Sequence, residues 1–252
     1  MTCSTPDYYI KRLQTIGVII SLFLLLSAVV VSADTVCDQF ANLSPMPGGG
    51  FAVDSCGYLD GLGAIQTNIP VAYTPRAEYI VASGAAGGTV EDKSSFKNGT
   101  GVLGASIGGW PRLWVSGMFV SQGTATANAH LSVFNEKGST PGVAVGIQGL
   151  SKENGCRRWG YLVATKGFGL CNRRVYTTLG IRGNNVNVRG IGGFSVPLSE
   201  SFNFDTEWDG YQFNNMIAFR PGGRYGIFTA FGGYNGQTGW QAGGSIYYRF
   251  SK

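Results

Sequence analysis

From residue 76 to the C-terminus, side-chain character alternates with a period of two in one short run after another. The cleanest run is 240–250. Trp240, Ala242, Gly244, Ile246, Tyr248 and Phe250 hold one set of alternate positions, and Gln241, Gly243, Ser245, Tyr247 and Arg249 hold the other. A strand turns successive side chains to opposite faces, so such a run reads as a strand with one apolar and one polar face. In 201–209, Phe202, Phe204, Thr206 and Trp208 alternate with Ser201, Asn203, Asp205, Glu207 and Asp209. In 174–182, Val175, Thr177, Leu179 and Ile181 share a face. In 126–134, Ala127, Ala129, Leu131 and Val133 oppose Thr126, Asn128, His130 and Ser132.

About twelve such runs occur: 77–85, 101–109, 112–121, 126–134, 142–149, 157–166, 174–182, 188–196, 201–209, 212–220, 224–231 and 239–250. Most approach the 9–11 residues that a tilted membrane strand needs. An even count with short connections suits an up-and-down meander. The expected fold is all-β: an antiparallel up-and-down transmembrane β-barrel of about twelve strands, within a range of 10–14, over residues 76–252. Both barrel termini would be periplasmic.

Composition removes the competitors. Glycine occurs 40 times in 252 residues, spread through every run, and each would cost a helix interior about 1 kcal/mol. Hydrophobic residues make up 44% of the chain, which excludes disorder. The formal charge of +5 comes without a basic stripe, so no nucleic-acid partner is expected. The remaining rival is a soluble secreted β-sandwich, a ligand-binding module whose strands usually run to five or six residues. Two features favour a membrane barrel. Charges collect on one face of each clean run. Trp110, Trp159, Trp208, Tyr211, Tyr225, Trp240, Tyr248 and Phe250 sit near run ends, as an interfacial girdle requires.

Ahead of the runs, Lys11 and Arg12 precede an apolar stretch at 15–31, and Val31-Ser32-Ala33 supplies small residues for cleavage. This order is that of a secretory signal peptide, 1–33, removed after Ala33. An exported chain without a second apolar run of spanning length crosses a membrane only as a closed barrel, so the expected location is the outer membrane. Residues 34–75 carry Pro45, Pro47, Pro70, Pro75 and Gly48-Gly49-Gly50. They read as an irregular segment, either periplasmic or folded into the barrel as a plug. Cys37, Cys56, Cys156 and Cys171 remain after cleavage. A spanning strand between Cys156 and Cys171 would hold them roughly 30 Å apart, beyond disulfide reach, which leaves Cys37–Cys56 as the expected pair. No C-x-x-C occurs and His130 is the single histidine, so no zinc or other metal, and no cofactor, is expected.

The tail Ile246, Tyr248, Phe250 resembles the signal that barrel-assembly machinery reads, with Ser251 and Lys252 following the last aromatic. Several segments resemble the YjbH-like outer-membrane proteins associated with exopolysaccharide production. They are Gly63-Ala64-Ile65-Gln66-Thr67-Asn68-Ile69-Pro70-Val71-Ala72, Tyr161-Leu162-Val163-Ala164-Thr165-Lys166, Glu207-Trp208-Asp209-Gly210 with Asn214-Asn215 and Ala218-Phe219-Arg220-Pro221, and Tyr247-Tyr248-Arg249-Phe250. The chain would match one barrel of such a protein. The resemblance implies an exported barrel that partners outer-membrane lipid and polysaccharide or polysaccharide-export proteins, and it supplies no catalytic residues.

Two constellations carry possible chemistry. His130 and Ser132 share a face at the His-x-Ser spacing of outer-membrane lipid hydrolases, but a nucleophile also needs its base within hydrogen-bond reach and a third, orienting group. Their polar face should turn into the lumen, away from acyl chains. Asp205, Glu207 and Asp209 form a carboxylate row about 6.6 Å apart on one strand face. The expected role is a lumenal charged cluster with Lys166, Arg174, Arg182, Arg220 and Arg249, contacting ions or sugars, with Trp114, Trp159 and Tyr247 as stacking surfaces. Carboxylate pairs can also hydrolyse glycosides. The Gly-rich stretches 104–109 and 190–193 lack the lysine and helix of a phosphate loop. The expected function is non-enzymatic: a pore or scaffold linked to exopolysaccharide export. The alternatives are a lipid hydrolase and a soluble binding protein.

Overall fold

A computed structural model describes residues 50–59, 63–88, 99–109, 112–120, 124–150, 158–170, 173–184, 187–221, 227–236 and 239–250. The expected signal peptide, the stretch 34–49, Cys37, Cys156, Cys171, Trp110 and Tyr225 lie outside them. Twelve strands form: β1 (Tyr79–Gly88), β2 (Gly99–Ile107), β3 (Leu113–Val120), β4 (Thr124–Phe134), β5 (Gly142–Gln148), β6 (Trp159–Leu170), β7 (Arg173–Gly183), β8 (Val188–Pro197), β9 (Phe202–Trp208), β10 (Phe213–Phe219), β11 (Phe228–Asn235) and β12 (Gly239–Arg249). Each pairs antiparallel with its sequence neighbours, and β1 pairs with β12, so the sheet closes into an up-and-down barrel. The even count brings Tyr79 and Arg249 to one end of the barrel, here called the terminal end.

Each alternating run becomes a strand, and pairing sets where each one stops. β6 continues to Leu170 because its ladder with β7 runs unbroken from Gly160↔Gly183 to Leu170↔Arg173. β11 is shifted by four residues from the expected 224–231. Gly232-Gly233 reads as a turn in sequence, yet it continues the ladder opposite Ala242 and Gln241. A Cβ at Gly233 would stand 2.8 Å from Met216 Cα, so the adjacent strand tolerates only glycine there.

The outer face is apolar. Leu103, Val145, Leu162, Leu179, Ile181, Ile217 and Ile246 all point outward and are exposed. At the terminal end, Phe134, Phe168, Phe202, Phe219, Phe228, Tyr248 and Phe250 form an exposed aromatic belt. Neighbouring rings touch, Phe202 and Phe219 at 5.0 Å and Tyr248 and Phe250 at 5.3 Å between centroids. At the far end stand Phe119 and Tyr234, with Trp208 packed on Phe213 at 5.0 Å. This belt differs in part from the expected one. Trp159 and Tyr211 are buried and lie edge to face with each other. Trp159 alternates in phase with the inward Tyr161 and Val163.

The inner face mixes polar side chains such as Asn128, Thr165, Ser195 and Glu207 with apolar ones such as Val81, Val163 and Met216, and it carries glycine sockets. A Cβ on Gly104 would run into the Trp114 indole, one on Gly146 into the Tyr161 ring and hydroxyl, and one on Gly243 into Phe231. Each of these lumenal rings therefore reaches over a wall position that has no side chain. Here the glycine content is steric in origin, not a matter of turns.

Residues 50–59 and 63–75 occupy the interior. Val53 pairs with Ala64 as an antiparallel bridge, and Gly50 N donates to Gln66 O. Phe51, Val53, Leu59, Ala64, Val71 and Tyr73 pack with Tyr79, Val81, Trp114 and Tyr176. Ile69 and Ala72 pack with Ala144, Tyr161, Val163 and Ile191, while Ala52 and Ile65 pack with Met216, Ala218 and Phe231. These partners come from all around the wall, so a hydrophobic core forms inside the barrel between the wall and this segment.

Candidate functional site

The lumen and its inserted segment form the one extended cluster of buried polar groups among the described residues. Glu207 is its centre. The carboxylate is fully buried, and four donors of the inserted segment converge on it. Thr67 N and Oγ1 donate to Oε1 at 2.5 and 2.6 Å. Asn68 N and Ile69 N donate to Oε2 at 2.8 and 3.0 Å. Three successive backbone N–H groups facing one anion form an anion-binding nest. Pro70, which lacks an N–H, follows directly and ends the run of donors.

More wall groups hold the segment along its length. Ser195 Oγ accepts from Ile65 N at 3.2 Å, and Thr165 Oγ1 accepts from Ala72 N at 2.8 Å. Ser132 Oγ donates to Ala72 O at 3.0 Å, and Ser245 Oγ donates to Gly50 O at 2.7 Å. Arg220 donates to Leu59 O, and Arg112 Nη1 to Thr74 O at 3.0 Å. Backbone that takes part in no barrel ladder is thus satisfied by wall side chains.

The terminal end carries two ion clusters. In the first, Glu136 of the β4–β5 loop accepts from Lys166 Nζ at 2.7 Å, Arg174 Nη2 at 2.5 Å, Gly167 N at 3.1 Å and the Tyr73 hydroxyl of the inserted segment. In the second, Glu78 pairs with Arg249 at 2.6 Å and Arg76 at 3.3 Å. Arg76 Nη1 also donates to the Tyr58 hydroxyl at 2.7 Å. Burial alone would raise the Glu136 pKa. The hydrogen bonds of Lys166, Tyr73 and Gly167 and the Arg174 charge outweigh burial and hold it below the ordinary 4.5. A depressed carboxyl pKa contributes stability above the unfolded pKa, and that stability is lost as pH falls through the folded value. The protein should therefore melt at a lower temperature near pH 3 than near pH 6. In Glu136→Gln this difference should shrink. An unchanged difference would remove Glu136 from the tether.

The charged cluster expected from sequence is only partly assembled. Asp205, Glu207 and Asp209 do face the lumen and are buried. Among the described residues, none of the three forms an ion pair. Glu207 is taken up by the inserted segment. Asp209 accepts from Tyr211 N at 2.9 Å, Gln212 N at 3.1 Å and Asn214 Nδ2 at 3.0 Å, closing the β9–β10 turn. Lys166 and Arg174 meet on Glu136, and Arg249 meets Glu78. Lys166 is in phase with the outward Leu162 and Phe168, and it meets Glu136 and Gly138 O of the β4–β5 loop. Arg182 lies at the far end, 4.5 Å over Trp159 and 5.1 Å from the Tyr211 ring. The expected stacking surfaces are covered: Trp114 and Trp159 are each 1% exposed, and Tyr247 packs edge-on against Tyr79. Cys56 is exposed and free, on a turn where Asp54 Oδ1 accepts from Cys56 N and Tyr58 N.

His130 and Ser132 share the inner face, but no hydrogen bond joins them among the described residues. His130 Nδ1 meets the Tyr161 hydroxyl at 2.9 Å. Ser132 is engaged with Ala72 O and the Thr74 hydroxyl. Sequence reasoning missed Thr67, Tyr73, Glu78 and Glu136. Thr67, Tyr73 and Glu136 lie in irregular stretches, where no periodicity marks a side chain as facing anything, and Glu78 sits at the edge of the run 77–85, in the turn just ahead of β1.

Comparison of the chain with protein-family models, with curated proteins and with solved structures finds no match in any of the three.

Proposed function

We propose that this chain is a non-enzymatic outer-membrane β-barrel whose lumen is closed by its own residues 50–59 and 63–75, acting as a scaffold or pore linked to exopolysaccharide export. One observation carries the membrane reading: the outer face of the barrel is apolar and exposed, with aromatic belts at both ends. Such an apolar band flanked by aromatic girdles is the arrangement that lipid requires. Strand length agrees. The eleven residues of β7 rise about 26 Å along a barrel axis at 45° tilt, close to the ~25 Å apolar band of such barrels. The polysaccharide link rests on the resemblance to YjbH-like proteins.

The non-enzymatic reading rests on the state of the two candidate constellations. Ser132 has its hydroxyl engaged by the inserted segment, and Glu207 has its four acceptor sites filled. Neither can activate a nucleophile or a water without displacement of the segment.

The decisive test is electrophoresis before and after boiling, together with membrane fractionation. A closed membrane barrel should resist SDS until heated and should pellet with outer membranes. A soluble periplasmic protein without a mobility shift would end the reading. Esterase activity lost in His130→Ala would overturn the non-enzymatic part. A substitution separates membrane barrel from soluble β protein more sharply. Leu179 is exposed near the middle of β7. Leu179→Arg should cost about 2–4 kcal/mol if that position lies at the bilayer midplane. The yield of heat-modifiable protein in lipid vesicles should fall, and Leu179→Ala should assemble normally. In a soluble barrel the arginine would be harmless.

A further inference from the structure

The carboxylate row contains one member that neither the inserted segment nor the β9–β10 turn takes up. Asp205 is fully buried, and apart from the Ser195 hydroxyl no donor among the described residues faces its carboxylate. Ser195 stands opposite it in register, and its hydroxyl, which accepts from Ile65 N and Asn203 Nδ2, keeps its proton for one Asp205 oxygen. Met216 stands on the other side and offers only a thioether.

Other unpartnered oxygens border the same place. Asn214 is opposite Glu207, hence diagonal to Asp205, and its Oδ1 is buried without a donor. Gln66 of the inserted segment is fully buried, and neither amide atom has a partner. Its side chain fills the space over Gly193, where Nε2 would lie 2.6 Å from a Cβ. Gly193 is in turn opposite Glu207. Asp205, Asn214 and Gln66 therefore surround the Glu207 position from three sides. Diagonal neighbours on a sheet face lie within reach of side chains of this length.

This cluster has a surplus of acceptors. A proton on Asp205 would satisfy one oxygen and leave the rest. Buried charges are paired or they coordinate metals, and no cation among the described residues pairs with this one. A hard cation, with or without its waters, meets several oxygens at once at about 2.3–2.6 Å. The geometry points to a binding site for an oxygen-seeking cation of the Ca2+ class, held by Asp205 and Asn214 on the wall and by the Gln66 amide oxygen on the inserted segment. Carboxylate and amide oxygens are its usual ligands, and calcium tolerates irregular geometry where magnesium does not. The site links wall to segment, so cation binding and retention of the segment are coupled.

Thermal melting of the purified protein in detergent, free of lipopolysaccharide, tests this with Ca2+ alone as the probe. The melting temperature should rise saturably with Ca2+ and fall on chelation, by about 5–10 °C at a hundredfold excess over Kd. Asp205→Asn should abolish the shift. Gln66→Ala, which leaves the wall intact, should still fold and should need at least tenfold more Ca2+ for half the shift. Calorimetric titration of Ca2+ into the unaltered protein should give one saturable site. No shift and no heat of binding, or an equal shift in Asp205→Asn and Gln66→Ala, would overturn the site and leave a proton or water as the partner of Asp205.

Discussion

Glu207→Gln is expected to unseat the lumenal segment while leaving the wall closed. The glutamine keeps the size and one acceptor oxygen, but it turns an NH2 group towards backbone N–H groups. Of the four donors now on the carboxylate, those of Asn68 and Ile69 or the pair on Thr67 must lose their acceptor. A buried donor left unpaired costs about 1–3 kcal/mol, and hydrogen bonds to a charged group contribute about 1.5–3 kcal/mol each. The expected loss is on the order of 4 kcal/mol. At about 2–4 °C per kcal/mol for a chain of this size, the melting temperature should fall by roughly 10 °C. The wall ladders do not pass through this side chain, so the heat-modifiable band should persist. Proteolysis within 63–75 should accelerate, and the variant should conduct in planar bilayers where the unaltered protein is silent. Conductance and protease resistance equal to those of the unaltered protein would show that Glu207 does not retain the segment.

The second large effect lies at a socket. Gly146→Val places a branched side chain where the Tyr161 ring and hydroxyl lie, and its Cβ would stand 2.7 Å from Ala129 O. The neighbouring strand backbone is fixed by its ladder, so the ring must leave. Tyr161 is the partner of His130 Nδ1, and His130 Nε2 already has no partner among the described residues. Overpacking costs about 1–3 kcal/mol, and the orphaned imidazole nitrogen adds about 1–3 kcal/mol. The variant should lose on the order of 4 kcal/mol and much of its yield of heat-modifiable protein. Gly146→Val combined with Tyr161→Ala should recover part of that loss, because the space is vacated. A single substitution without effect would mean that Tyr161 does not rest on this wall position.

The strands were legible because each is a local pattern. Alternation over 201–209 assigns Asp205, Glu207 and Asp209 to one face wherever the strand ends up. The twelve runs gave twelve strands for the same reason. β11 was displaced because its Gly232-Gly233 pair belongs to a ladder, and only the identity of the opposing residues distinguishes a ladder glycine from a turn glycine. The aromatic belt was misassigned at Trp159 and Tyr211 for a related reason. Position near a run end does not fix phase, and one residue of phase moves a ring from outer belt to lumen.

The candidate site was less legible than the fold. The carboxylate row was visible, but what it binds was not. Opposed rows of charge within a barrel suggested ion pairs between strands. The interior instead holds backbone from an irregular segment. Free N–H groups at Thr67, Asn68 and Ile69 compete for a carboxylate on better terms than an arginine, because three of them are presented together by a single turn.

The sequence by itself determined an all-β chain of about twelve antiparallel strands, within 10–14, and which face of each clean run is apolar. These follow from side-chain period and turn spacing, which act within a few residues. The tertiary structure alone decided that Glu207 meets Thr67 across 140 positions of chain, that Tyr73 meets Glu136 and that the segment leaves Asp205 unused. These depend on barrel closure and on the path of the segment inside it, and neither leaves a periodic mark in the residues concerned.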